Sequence, residues 1–198
     1  MIISRLIING LFMNSQPNKD SQQNNHWYAV RVSYSRELFL KSILDGEKIE
    51  NFIPMRYGYI VKNGKRVRKL LPAIHNLVFI HSTRKRIDAL KETLEGSMPI
   101  RFIMDREHSR PVVIPDEQMR SFILVAGTYE ESILYVESAE LHLVKGQKVR
   151  IIAGVFEGVI GEFVRIRHDR RVVVNIEGVM AVATTYIHPS LVEPIVES

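Results

Sequence analysis

The stretch Gly146-Gln147-Lys148-Val149-Arg150-Ile151-Ile152-Ala153-Gly154-Val155-Phe156-Glu157-Gly158-Val159-Ile160-Gly161-Glu162-Phe163 sets four glycines into a run rich in β-branched residues. Glycine weakens a strand unless the backbone must bend sharply, form a bulge or approach another chain closely. The run therefore reads as strand, turn and bent strand, as the corner of a small barrel requires. Further strands are expected at residues 159–167, 172–176 and 180–184, joined by turns at His168-Asp169-Arg170-Arg171 and Glu177-Gly178-Val179. Five short strands of this kind can close without leaving long exposed edges.

Upstream the pattern changes. Residues 26–33 alternate as a strand, and Ser35 is placed to cap a helix in which Leu40 and Leu44 face a sheet, until Gly46 weakens its end. After Phe52-Ile53-Pro54-Met55 come two alternating runs, 57–61 and 67–71, flanking Lys62-Asn63-Gly64-Lys65. An Asn-Gly pair between such runs predicts a tight hairpin, because both residues accept positive φ. Leu77-Val78-Phe79-Ile80 is a continuous apolar run, expected of a central strand covered on both faces. A second helix follows from Thr83 with Ile87, Leu90 and Leu94 on one face, then a strand at 100–104. A third helix starts after Pro115, with Asp116 and Glu117 at its positive end and Met119, Phe122 and Ile123 as its apolar side. The order β-α-β-β-β-α-β-α predicts an α+β sandwich, one sheet with helices on one face.

The glycine-rich run resembles the KOW motif of the NusG family of transcription elongation factors, the matching residues being Gly146, Val149, Arg150, Gly154, Phe156, Gly158 and Gly161. Trp27-Tyr28-Ala29-Val30-Arg31-Val32, the helix after it, Phe52-Ile53-Pro54, the basic hairpin and Leu77-Val78-Phe79-Ile80 look like the amino-terminal NusG domain in the same order. The likeness covers residues 26–196 and is nearest to the specialised, UpxY-like antiterminators. It implies an antiparallel-sheet, ferredoxin-like α/β sandwich followed by an SH3-like KOW barrel. The expected division is a disordered or mis-assigned extension over 1–25, the amino-terminal domain over 26–126, an acidic linker over 127–141 and the barrel over 142–198.

Composition narrows the chemistry. The chain has 198 residues and no cysteine, so disulfides and thiolate metal sites are excluded and a reducing, cytoplasmic setting fits. The seven histidines form no i,i+4 helical pair and no carboxylate-flanked ligand set, and no Gly-Lys-Ser/Thr follows the glycines, so neither metal, cofactor nor enzyme activity is expected. Residues 1–13 are apolar but too short to span a bilayer. The net charge of +5 is unevenly spread: residues 26–126 carry 18 Lys and Arg against 11 Asp and Glu, residues 127–141 none against four. Basic excess in the first domain suits contact with nucleic acid; a merely solvated surface is the plainer alternative.

The hairpin concentrates that charge in Arg56, Lys62, Lys65, Arg66, Arg68 and Lys69, which could reach phosphates without reading bases. Arg84, Lys85 and Arg86 stand at a helix start, where cations are disfavoured, and hint at an anionic contact. The NusG resemblance further implies a patch that grips the clamp helices of the largest RNA polymerase subunit, carried here by Arg31, Ile74, His75, Asn76, Leu77 and Phe79. His75 stands where the family usually has proline, and Leu77 and Phe79 could equally be core. By the same likeness the hairpin meets upstream or non-template DNA, and the barrel recruits RNA, a ribosomal protein or a termination factor. The implied function is antitermination on a particular operon; the alternatives are a housekeeping NusG-type elongation factor and a ribosome-associated KOW protein that binds RNA.

Overall fold

Side chains alternate across the first strand, β1 (His26–Val32), and both of its faces are buried. Trp27 and Ala29 join one apolar cluster, Tyr28, Val30 and Val32 another. A strand covered on both sides must be central, and in the computed structural model, which describes residues 24–105, 107–137, 146–166 and 168–196, β1 lies inside an antiparallel sheet. Its order is β2 (Glu50–Phe52), β5 (Leu77–Ser82), β1, β6 (Ile100–Phe102), with β9 (Val113–Ile114) also on β1. The short pair β7 (Met104–Asp105) and β8 (Arg110–Pro111) links β6 to β9.

Helices cover both faces of this sheet, which corrects the one-face expectation. Leu40 and Leu44 of α1 (Glu37–Gly46) and Ile87 and Leu94 of α2 (Arg84–Leu94) pack with Val78 and Ile80. On the opposite face, Met119, Phe122 and Ile123 of α3 (Asp116–Ala126) pack with Leu77 and Phe79. Thr83 caps α2, its Oγ1 accepting from the Arg86 amide at 3.2 Å. Ser35 does not cap α1; Tyr34 and Ser35 both take positive φ, and the Ser35 amide donates to Asn76 Oδ1 instead.

Strands β3 (Met55–Lys62) and β4 (Lys65–Pro72) form a separate two-stranded hairpin paired along its whole length. Its turn, Asn63-Gly64, has φ of 51° and 74°, the double left-handed geometry that the sequence pair predicts.

The carboxy-terminal part is a six-stranded antiparallel sheet in the order β10 (Leu134–Glu137), β14 (Met180–Ala183), β13 (Asp169–Ile176), β12 (Ile160–Ile166), β11 (Gln147–Ile151), β15 (Val192–Pro194). Strand β10 falls inside the stretch expected as a linker: Leu134 to Glu137 pair with Ala183 to Met180, so the chain is already in this sheet by residue 134. The expectations for residues 1–23 and 138–145, the start of the barrel included, lie outside the described residues. Glycines 146 and 161 mark close backbone approaches. A Cβ on Gly161 would fall against the Val173 carbonyl oxygen and Val172 Cγ1, and one on Gly146 against Val164 Cγ1 and the Phe163 carbonyl. The crossing of β11, β12 and β13 thus leaves no room for a side chain at position 161. Gly161→Ala is expected to cost about 1–3 kcal/mol of stability through overpacking; an unchanged denaturation midpoint would contradict the observed strand register.

Candidate functional site

Three groups of side chains are candidates: the basic hairpin, the corner where β1 meets the turn before β5, and the junction of α3 with the carboxy-terminal sheet.

On the hairpin, Arg56, Lys62, Lys65, Arg66, Arg68 and Lys69 are all exposed, and residues 55–72 contain no Asp or Glu. The register puts Tyr59 opposite Arg68 and Val61 opposite Arg66, so tyrosines and arginines share one face. The Arg68 guanidinium lies 3.9 Å from the Tyr57 ring centroid, and that of Arg66 lies 4.8 Å from Tyr59. Arg68 is also paired with Glu131, Nη2 to Oε1 at 2.5 Å, whereas Lys62, Lys65 and Lys69 have no acidic partner among the described residues. At the hairpin base the Tyr135 hydroxyl donates to the Met55 carbonyl at 3.1 Å. Burial, and after it the neighbouring Tyr129 phenol, push the Tyr135 hydroxyl above its ordinary pKa.

At the corner, the Arg31 guanidinium donates to the His75 carbonyl at 3.0 Å. Asn76, at φ 62°, ties the turn down: its amide donates to Glu37 Oε1 and its carbonyl accepts from the Val32 amide at 2.9 Å. Arg31 and His75 are exposed, and Ile74 and Asn76 half-buried. Leu77 and Phe79 are interior at 1% and 0% exposure, Phe79 facing Phe122 of α3 with ring centroids 5.3 Å apart. Of the six residues grouped by resemblance, the structure therefore presents four at the surface and sinks two. Beside them an open groove runs between the start of α1 and the hairpin base, lined by Arg36, Leu38, Phe39, Arg56, Tyr57 and His75. Leu38 and Phe39, which line it, leave 47% and 54% of their surface in solvent.

At the start of α2, Arg84 and Arg86 have partners, while Lys85 is exposed. Arg84 pairs with Asp88 at 2.7 Å and lies over Phe102, while Arg86 donates to the Glu47 carbonyl at 2.7 Å. Their charges are met inside the protein, which accounts for their place at a helix start.

The glycine-rich run surrounds the third group. Val149 and Phe156 are buried, Arg150 is exposed and faces Glu193, and Gly154 and Gly158 take φ of 93° and 88°. Pairing between β12 and β13 stops at Glu162–Val173. Two further steps of that register would set Ile160 opposite Asn175, yet these backbones bond to α3 instead. The Ile160 amide donates to Ser121 Oγ at 3.1 Å, and Gln118 Nε2 donates to the Asn175 carbonyl at 2.5 Å. Gln118 and Ser121, three residues apart, share one helix stripe, while Phe122 turns to Phe52 and Phe79 on the other sheet. So α3 is buried from two sides, and one apolar cluster runs from Trp27 through Phe122 to Val182.

Comparison with known proteins settles the lineage. Residues 25–123 match the family model NusG, described as transcription termination factor nusG. The chain belongs to the NusG family. Members are transcription factors, not enzymes, and interact with RNA polymerase. A solved structure titled "Domain interaction in Thermotoga maritima NusG" aligns at 20% identity and a TM-score of 0.41, covering 87% of this chain and 98% of that one. No curated protein matches the sequence.

For this NusG-family chain, no three His, Cys, Asp or Glu residues are grouped to hold a metal among the described residues. No described helix is long and apolar enough to cross a membrane. Sequence reasoning missed Gln118, Ser121 and Glu131, whose roles arise from contacts 39 to 63 residues distant. It also passed over Tyr57 and Tyr59, although their i,i+2 spacing beside arginines was a readable signal. Ser121→Ala is expected to leave the Ile160 amide without a partner, costing about 1–3 kcal/mol and accelerating hydrogen exchange at that amide. An exchange rate equal to that of the parent protein would show that the helix does not serve this bond.

Proposed function

We propose that this protein is a transcription elongation and antitermination factor that binds RNA polymerase through its amino-terminal domain and acts on a particular operon. Family membership supports the class, and the exposed corner and apolar groove support a protein-binding surface beside it. The accessible contacts would be Arg31, Ile74, His75 and Asn76, joined by Leu38 and Phe39, and the partner the clamp helices of the largest polymerase subunit. Leu77 and Phe79 would support this surface from beneath.

The mechanism is differential binding. A factor that contacts a closed clamp better than an open one shifts the clamp toward closure by no more than that difference in affinity, and a closed clamp pauses less. The basic hairpin would meet upstream or non-template DNA through phosphate contacts. We read the carboxy-terminal sheet as the KOW barrel, which would recruit RNA, a ribosomal protein or a termination factor. The protein would work in the cytoplasm, with polymerase.

Two measurements test this reading. The double variant Leu38→Glu plus His75→Glu changes only exposed side chains and should reduce co-purification with core RNA polymerase at least about tenfold without altering the melting curve. Equal recovery of the folded variant would remove this corner from the interface. In DNA binding, Lys62→Gln plus Lys65→Gln should lower the slope of log affinity against log salt by about 2; an unchanged slope would mean that the hairpin tip touches no phosphate.

A further inference from the structure

We propose that the Tyr57 and Tyr59 face of the hairpin is a stacking platform for single-stranded DNA, an inference that rests on the hairpin contact with nucleic acid proposed above and goes beyond it. The register divides the ribbon into two unlike faces. Tyr57, Tyr59 and Val61 stand opposite Leu70, Arg68 and Arg66 on one, while Arg56, Ile60 and Lys62 stand opposite Leu71, Val67 and Lys65 on the other. A phosphate tether would need only the cations. The first face adds flat groups: Tyr59 leaves 62% of its surface and Tyr57 44% in solvent, each beside an arginine.

Arginine beside a tyrosine ring offers two planar surfaces and a charge within one nucleotide's reach. Arg68 is partly engaged by Glu131, so the Arg66–Tyr59 pair nearer the turn is the open half of the platform. A duplex keeps its base faces inside its own stack and can use only the cations of this ribbon. An unpaired strand can stack a base on the Tyr59 ring or on the guanidinium over it and set the adjoining phosphates against Arg66 and Arg68, which share that face. The absence of any carboxylate between residues 55 and 72 favours an anionic strand over a mixed-charge protein surface. Stacking on a ring face accepts any base, so binding is tolerant of sequence. In a factor that rides on polymerase, the strand exposed by the open transcription bubble is the source at hand.

Fluorescence anisotropy on the full chain tests this with a labelled, mixed-sequence DNA single strand of about 12 nucleotides, its blunt duplex and the equivalent RNA strand. The single strand should bind at least about fivefold more tightly than the duplex, and Tyr59→Leu should erase most of that difference while leaving duplex binding and the melting curve unchanged. Tyr59→Phe, which keeps the ring, should bind as the parent does. Equal affinity for strand and duplex, or indifference to Tyr59→Leu, would overturn the platform but leave a phosphate contact standing. Loss of all nucleic-acid binding in the parent protein would overturn both. A preference for RNA of about tenfold or more would also count against it, because that requires a reader of the 2′-hydroxyl.

Discussion

The burial of α3 between two sheets is the constraint on which the rest of the molecule depends. Its Phe122 ring meets Phe79 at 5.3 Å and Phe52 at 6.2 Å, in tilted and perpendicular arrangements that suit aromatic quadrupoles. Burying one such side chain contributes about 1.5–3 kcal/mol, so a few of them are comparable with the whole net stability of a domain. On its other stripe the helix supplies polar groups. Gln118 and Ser121 occupy backbone sites where β12 and β13 have parted, so the end of one sheet is completed by a helix that belongs in sequence to the other. The two halves of the chain share a core through this helix.

That arrangement decides which surfaces remain for partners. With α3 over one face and α1 and α2 over the other, the amino-terminal sheet has no free face, and Leu77 and Phe79 are interior. What stays outside is the rim: the corner held by Arg31 and Asn76, the exposed start of α1 and the hairpin. The hairpin contributes little to either core cluster, of its strands only Met55 packing against one. Its length and charge therefore have no account in the packing of either core. Positive charges crowded on a thin ribbon repel one another; the arginine–tyrosine pairs and Glu131 relieve that repulsion only in part.

Much of the architecture was legible in the residues. Asn63-Gly64 fixed the hairpin turn because few pairs accept two positive φ values in succession. The apolar run 77–80 announced a strand covered on both sides, and Gly161 announced a close approach that the Val173 carbonyl enforces. The reading failed where two chemistries compete for one residue. Ser35 looked like a helix cap, but Tyr34 and Ser35 turn left-handed and Asn76 takes the Ser35 amide, a contact 41 residues away. Residues 134–137 looked like an acidic spacer, yet all four pair with β14, and the glutamates did not forbid a strand. Arg84 and Arg86 looked misplaced until Asp88 and Glu47 were brought beside them.

The sequence by itself determined the local pieces: where strands and helices form, where the backbone must turn left-handed, and that positive charge gathers on one hairpin. Those depend on φ preferences and on periodicity over a few residues. Tertiary structure alone decided that α3 lies between the sheets, that Phe79 is core and not surface, and that tyrosine and arginine meet on one face of the ribbon. Each of these follows from which distant segments exclude water together, a property of the folded chain that no short window of residues contains.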